Sequence, residues 1–370
     1  MSPLKAPMRL LQLTLESFRS YQKLEIEFPE SENISVLLGA NATGKTNVLE
    51  AIAILALLKS PRKVEDSDLV AWEQSYYRVK GACLTTNGEE TSLEVVSQST
   101  PRKERACFLN GVRTPAGRYI GSLPLITFMP DHLLLFTGSP AERRRFVDDL
   151  LSQVSPSHRQ AQSEYERVLR QRNSLLRQIA EGREKPATLD IWDEKLSTLG
   201  AIITVDRLQL FATLGMTLAA ELRALGERPK TAHFTYVRRG KETEDQAIQR
   251  ELREELLHFR ERDCQILATT IGPHRDDWTL AIDGRDIATF ASRGQQRAAL
   301  LALLLLEASF LEVRRGEKPI LLLDDVFSEF DAAHQSAVLK ALKRHQVIIT
   351  AVTLNPPLAK GTRVVSCPIA

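Results

Sequence analysis

Few folds accommodate an uninterrupted apolar run that stops at a glycine-containing loop and resumes as a helix, and this chain has one. Ile34 to Leu38 lacks the polar alternation of a half-exposed strand, so it suits a strand covered on both faces. It is followed by Gly39-Ala-Asn-Ala-Thr-Gly44-Lys45-Thr46 and then by a helical stretch, Lys45 to Leu58. The eight residues fit GxxxxGK[ST] in the strand, loop, helix context that the motif requires. Glycines let backbone N–H groups curl around a phosphate, and the helix N-terminus adds partial positive charge. Lys45 would reach the β- and γ-phosphates, and Thr46 would ligate Mg²⁺. Gly39, Ala40, Asn41, Ala42, Thr43, Gly44, Lys45, Thr46 and Asn47 are therefore the candidate nucleotide-binding residues, with ATP and Mg²⁺ the expected cofactors. The competing reading is a Gly-rich turn that fits the pattern by chance.

A phosphate loop of this kind needs an acidic partner. Ile320 to Leu323 is an apolar strand ending in Asp324-Asp325. Asp324 is the candidate metal ligand with Thr46, and Asp325 the candidate base that positions the attacking water, acting with Lys45 as the catalytic pair. An acid pair capping a helix would look the same. Ser292-Arg-Gly294-Gln295-Gln296-Arg297 precedes a long apolar helix, where a Ser and a Gly make either a second anion site or an ordinary capped start. Ser328-Glu329-Phe330-Asp331 likewise opens a helix or caps one.

The remaining pattern sets the architecture. Leu11, Leu13, Leu15 and Leu24, Ile26, Phe28 alternate with polar residues, as in an antiparallel pair. Asn87-Gly88 and Asn110-Gly111 sit between short apolar runs and predict hairpins, because both residues tolerate positive φ. From about Pro140 to His258 the pattern reads as helical, with Ser155-Pro156 as N-cap and first-turn proline, Gly182 as a stop, and a second helix over about 189–225. These helices are too short and irregular for long coiled-coil arms. After Ile271, strands and helices alternate as in a helix-covered parallel sheet. The expected fold is α/β: an ATPase head of mixed sheet and helices carrying an inserted compact helical lobe. The expected segments are 1–140, 141–265 and 266–370.

Composition excludes more than it assigns. A formal charge of +2 names no partner, so local clusters must carry that question. Arg102, Lys103, Arg105, Arg113 and Arg118, and then Arg143, Arg144 and Arg145, suit phosphate contacts, or simply a solvated basic face. No recognition-helix pattern or interleaved aromatic platform is visible, so bases would not be read for sequence. Four cysteines, Cys83, Cys107, Cys264 and Cys367, lie far apart and read as reduced thiols. The longest uninterrupted apolar stretch, Ala298 to Leu306, is about half a bilayer span, and the N-terminus has no leader-like core. A cytoplasmic protein without membrane contact is expected.

The order of phosphate loop, Ser-x-Gly-Gln-Gln, acidic strand and Ser-Glu-Phe-Asp resembles an ABC-type ATPase head, and the details resemble the RecF family of bacterial recombination repair. The resemblance spans nearly the whole chain. It rests on Leu15 to Tyr21, Gly39 to Asn47 with Leu49 to Ile52, Met129-Pro130-Asp131, Arg143 to Asp148, Gly272 to Asp277, and Ser292 to Arg297. Two positions depart from the family pattern. Ala42 stands where Gly is usual and requires an ordinary φ there, and Ile271 stands where Val is common. The resemblance implies a head-to-tail homodimer in which Ser292, Gly294 and Gln295 of one copy close over ATP bound to the other. It also implies weak, DNA-stimulated ATP hydrolysis, with Thr350 where transporters carry a switch His, and Arg19 near the nucleotide or merely at the surface. The implied partners are single- and double-stranded DNA at gaps, bound without sequence preference through Arg102, Lys103, Arg105, Arg143 and Arg144, together with RecR-like and RecO-like proteins that lead to RecA loading. A transporter ATPase subunit and a non-hydrolysing ATP-gated scaffold are the alternatives. His274 and Arg275 suit a phosphate or DNA contact, or a buried His bonded to an Asp, the second being preferred.

Overall fold

The computed structural model describes residues 8–62, 64–100, 102–325, 332–353 and 363–366. Ser328-Glu329-Phe330-Asp331 and Cys367 lie outside them. The strands are β1 (Arg9–Phe18), β2 (Tyr21–Glu27), β3 (Ile34–Leu38), β4 (Tyr76–Leu84), β5 (Glu90–Gln98), β6 (Glu104–Leu109), β7 (Val112–Arg113), β8 (Leu125–Phe128), β9 (Ala232–Val237), β10 (Asp277–Ile282), β11 (Arg285–Asp286), β12 (Ile320–Leu323), β13 (Val347–Ala351) and β14 (Arg363–Ser366). The helices are α1 (Lys45–Leu57), α2 (Ala116–Tyr119), α3 (Pro140–Val154), α4 (Pro156–Ala180), α5 (Asp190–Ala224), α6 (Asp245–His258), α7 (Arg260–Ile266), α8 (Ile287–Phe290), α9 (Arg293–Arg315) and α10 (Ala332–Leu342). They form two compact units, one of residues 1–133, 221–228 and 297–370, the other of 134–220 and 229–296.

The first unit holds two sheets. One is five-stranded and parallel throughout, in the order β14-β3-β13-β12-β8. The other is six-stranded and antiparallel, in the order β2-β1-β4-β5-β6-β7. β1 and β2 pair as the alternation requires, Leu13 opposite Ile26 and Leu15 opposite Leu24. α1 is apolar on every side, which marks a helix buried all round rather than a surface one. Val48 to Ala56 join one core with Leu10, Leu13 and Val79 of the antiparallel sheet and Leu37, Leu322 and Ile348 of the parallel one. Asn110-Gly111 makes the expected tight turn, both residues at positive φ (52° and 76°).

The second unit is mostly helical. α4 begins as its sequence requires: Ser155 accepts from the His158 N–H at 3.1 Å and Pro156 opens the first turn. The helical stretch starts where the pattern does, with α3 at Pro140, where Ser139 and Glu142 form a reciprocal capping box. Within the stretch read as helical there is a strand, β9, which pairs antiparallel with β10. Its alternation of half-buried and exposed residues is strand-like, but six residues between long helices carried too little signal. α4, α5, α6 and the Ile271 turn share a core of Tyr165, Val168, Leu196, Ile203, Ile248 and Leu252. Around Trp278 lie Phe136, Phe146, Phe211 and Phe234, with ring centroids 5.5–6.3 Å away.

One helical stretch, Pro186–Ala224, is long and apolar enough to cross a membrane by length and composition alone, a test that a core helix also passes. The sequence reading weighed only uninterrupted runs, and Asp193 and Arg207 interrupt this one. Both are buried in ion pairs, as in a core helix.

Candidate nucleotide-binding site

The loop between β3 and α1 is shaped by its backbone. Gly44 has φ 88°, and a Cβ there would lie 2.4 Å from the Tyr21 hydroxyl, so no other residue fits. Tyr21 in turn donates to the Thr43 carbonyl at 3.2 Å. Ala42 does not adopt the ordinary φ its side chain prefers: it sits at φ 66°. The loop geometry therefore overrides an alanine's preference, at a cost of about 1–2 kcal/mol.

Lys45 is 8% exposed and donates to the carbonyls of Gly39 and Ala40, each at 2.6 Å. Among the described residues it makes no ion pair. A buried ammonium held only by neutral carbonyls leaves its charge uncompensated and calls for an external anion. Thr46 donates to Asp324 Oδ1 at 2.9 Å, which puts two oxygen donors side by side at the end of β12. Among the described residues no group of three or more His, Cys, Asp or Glu could hold a metal by itself. A hydroxyl and one carboxylate instead suit Mg²⁺ completed by phosphate oxygens and water.

Asp324 is 6% exposed, and β12 pairs with β13, so Thr350 reaches across: its hydroxyl donates to Asp324 Oδ1 at 2.7 Å. Thr350 Oγ1 in turn accepts from the Asp325 N–H at 2.8 Å. Asp325 is in the left-handed region, φ 49°. The acidic pair is thus turned out of the strand direction and braced by one threonine.

The hairpin between β1 and β2 brings more polar residues than the sequence reading assembled. The Arg19 guanidinium pairs with both oxygens of Glu50 at 2.9 Å and with the Asp68 carbonyl at 2.9 Å, so it faces α1 and its neighbour. Glu50 is fully buried and also accepts from Ser60 at 2.5 Å. Arg62 lies 3.7 Å from Glu50 and donates to Asn47 Oδ1 at 3.3 Å, while Asn47 donates to Ser20. Arg62 had no motif to mark it, and Ser20 and Tyr21, noted only as part of the run Leu15 to Tyr21, are brought to the loop by the folded hairpin.

The Ser292 segment belongs to the second unit. Ser292 and Gln295 form a reciprocal cap, the Gln295 N–H to Ser292 Oγ at 3.2 Å and the Ser292 N–H to Gln295 Oε1 at 3.0 Å. Gln296 ties the turn to the carbonyls of Ile287 and Ala291. Around Gly294 there is open space, its nearest neighbour being Ser292 Oγ at 3.8 Å from a Cβ position. Ser292 to Gln295 are all exposed.

The basic residues divide. Arg143 is bidentate to Asp277 at 2.7 and 2.8 Å, and Arg144 donates to the Asp276 carbonyl at 2.7 Å, so both point into the second unit. Arg105 is bound to Asp66 and the Leu58 carbonyl. Lys103 pairs with Glu65 across an exposed 3.1 Å bridge of the weak surface kind. Arg102 is exposed, and among the described residues its guanidinium has no partner.

Gly272 to Asp277 is a junction. Gly272 has φ 126° and abuts the Tyr165 hydroxyl, where a Cβ would lie 2.3 Å away. Tyr165 donates to His274 Nδ1 at 2.7 Å, and His274 Nε2 donates to the Thr269 carbonyl at 3.1 Å. The expected Asp partner is absent from this ring. Burial, with Arg275 and Arg144 nearby, lowers the His274 pKa to about 4, so the ring is neutral. Arg207 donates to the Pro273 carbonyl at 2.8 Å and Tyr236 to Asp276 at 2.7 Å. Six residues are thereby wired to α3, α4, α5 and β9.

A phosphate loop after a buried parallel strand, facing an acidic strand end two strands away in the same sheet, with a helical unit inserted in the chain, defines an ABC-type ATPase head. A family model described as RecF/RecN/SMC N terminal domain matches residues 9–365. The DNA replication and repair protein RecF of Geobacillus thermodenitrificans is 36% identical over 353 residues, covering 94% of each chain. RecF of Moorella thermoacetica is 40% identical over 335 residues, covering 90% of this chain and 86% of its own. A solved structure of the recombination mediator protein RecF with ATP, in the RecFOR pathway, superposes with a TM-score of 0.89 at 30% identity, covering 96% of this chain and 95% of that one. An Smc head bound to the C-terminal winged-helix domain of ScpA shares the fold alone, with a TM-score of 0.54 at 16% identity over 96% and 94% of the two chains. This chain belongs to the RecF/RecN/SMC N-terminal-domain family and, within it, to the RecF proteins.

Proposed function

We propose that the chain is an ATP-gated DNA-binding protein of recombinational repair, in which Mg-ATP on Gly39 to Thr46 of one copy is closed over by Ser292, Gly294 and Gln295 of a second. The observation that carries nucleotide binding is Lys45, a buried cation among carbonyls without a carboxylate partner. Thr46 and Asp324 would hold Mg²⁺, which when bound neutralises developing phosphate charge. Asp325 would orient and deprotonate water at the γ-phosphate, braced by Thr350. The exposed Ser292 turn supports a contact made in trans, since Ser292 to Gln295 face solvent and Gly294 leaves open space for an approaching phosphate. Membership of the RecF proteins supports reading this as gap-directed, sequence-independent DNA binding with RecR-like and RecO-like partners, RecA loading and slow DNA-stimulated hydrolysis in the cytoplasm. Of the basic residues, Arg102, Arg118 and Arg145, exposed and without an ion pair among the described residues, and the weakly paired Lys103 are available to DNA.

The test is ATP binding, dimerisation and turnover, with and without DNA, for three variants. Lys45→Met loses ATP binding; Ser292→Arg binds ATP and stays monomeric; Asp325→Asn dimerises with turnover lower by on the order of 10²-fold. Normal ATP-dependent dimerisation of Ser292→Arg would sink the trans arrangement. Unchanged turnover in Asp325→Asn would leave a scaffold that uses ATP without a catalytic base.

A further inference from the structure

The fold places an exposed aromatic side chain beside the available basic residues. Trp72 is 86% exposed, while Trp278 is 1% exposed in the second unit's core. The turn that carries it is well tied. The Ala71 N–H donates to the Ser17 carbonyl at 2.8 Å, the Gln74 N–H to the Ala71 carbonyl at 3.1 Å, and Glu73 takes the left-handed conformation, φ 62°. The tied turn carries the indole in solvent, with its ring open to a partner.

Its neighbours give the partner's chemistry. Ser99 donates to the Ser75 carbonyl through its N–H at 2.8 Å and its hydroxyl at 3.1 Å, and Gln98 donates to the Arg102 carbonyl at 3.3 Å. Tyr76, at 36% exposure, opposes Gln98, which opposes Glu104. Trp72, Tyr76, Arg102 and Lys103 thus share one end of the six-stranded sheet. Lys80 lies further along β4 on the same face as Tyr76, exposed and without an ion-pair partner among the described residues. Glu73 is the opposing charge in the turn. Flat aromatic surface next to cations is the chemistry that binds single-stranded nucleic acid, bases on the rings and phosphates on the basic groups.

The turn is also linked to the nucleotide-site hairpin. Arg19, paired with Glu50 of α1, also donates its backbone N–H at 2.7 Å to the carbonyl of Leu69, the last residue of the 3-10 turn Asp66–Leu69 that leads to Trp72.

We propose that Trp72 is a base-stacking contact for an unpaired base of single-stranded DNA, with Arg102, Lys103 and Lys80 on the flanking phosphates. This rests on the reading that the chain binds DNA, and it adds a preference for unpaired bases that the sequence did not suggest. The experiment titrates the full chain with a single-stranded thymidine oligonucleotide, the same oligonucleotide made abasic at its centre, and a duplex of equal length, following anisotropy and tryptophan fluorescence. Trp72→Ala should weaken the thymidine oligonucleotide about ten-fold, Trp72→Phe less than three-fold, and ATP binding not at all. The wild type should show fluorescence quenching that the abasic strand reproduces only weakly. Equal affinity of wild type and Trp72→Ala, or equal loss on single strand, abasic strand and duplex, overturns the stacking contact and leaves Trp72 to a protein partner or to general charge effects. A wild type that binds none of the three DNAs overturns the DNA reading itself, and this contact with it.

Discussion

Ala42 and Thr350 show how single positions carry the site. Ala42 is held at φ 66°, where glycine is relaxed and alanine is strained. Ala42→Gly should therefore stabilise the folded loop, offset in part by the greater freedom of glycine in the unfolded chain, for a net gain of about 0.5–1 kcal/mol. A calorimetric Tm that is unchanged or lower refutes the strain argument. Thr350 is 1% exposed and bridges Asp324 and the Asp325 N–H. Thr350→Ala removes the bond from that N–H and leaves Asp324 Oδ1 with Thr46 alone, a cost of about 1–3 kcal/mol. Turnover should fall more than ATP affinity, and Thr350→Ser should restore it; equal loss in both variants would make the methyl group, not the hydroxyl, the relevant part. Thr350 was legible in sequence only as a departure from histidine, because the bridge depends on β12 and β13 being neighbours. Lys45, Thr46 and the acidic pair were legible because a motif fixes them locally.

At the scale of elements, the second unit is clamped by buried ionic groups. Arg172 joins Asp193 and Asp263 at 2.7 Å each, and Arg207 holds Asp148 through two bonds of 2.8 Å. His158, fully buried, links α4 to both neighbours: Nδ1 is 2.9 Å from Asp206, and Nε2 is 3.5 Å from Asp148, an ion-pair distance without a hydrogen bond. Burial alone would lower its pKa, but the two carboxylates outweigh burial and raise it above the ordinary value of 6.5. The raised pKa makes its contribution complete below about pH 6.5 and lost as pH rises through the folded-state value. His274 has the opposite sign: with a pKa of about 4 it costs stability as pH falls from 6.5 towards 4. Stability of this unit should peak near neutrality. His158→Gln should flatten the alkaline side and leave the acid side, as followed by denaturation midpoints across pH; an unchanged alkaline limb excludes His158 as its source. The strand β9 was invisible in sequence because its partner, β10, lies forty residues away and supplies the reason for its alternation.

For the whole molecule, the sequence revealed the order of elements better than their grouping. The apolar runs at β3, β12 and β13 predicted a parallel sheet, and the sheet formed with those strands adjacent. What no local pattern could show is that residues 266–296 pack with the helical lobe while 297–370 pack with the phosphate loop, a division that falls inside α9. ATP at a hundred times its Kd should stabilise the folded chain by about 2.7 kcal/mol, and Lys45→Met should abolish the gain. Thermal shift with and without Mg-ATP measures both; an equal shift in the variant would place the ligand elsewhere.

The buried ion pairs of the second unit have a thermal corollary. Removing a charge from water becomes less costly as temperature rises, while the gain from apolar burial levels off. The first unit is built on a large apolar core around α1, while the second adds to its own apolar core Arg172, Arg207 and His158 buried among carboxylates. On warming, amide hydrogens around α1, the helix that follows the phosphate loop, should accordingly lose protection before those of α4 and α5.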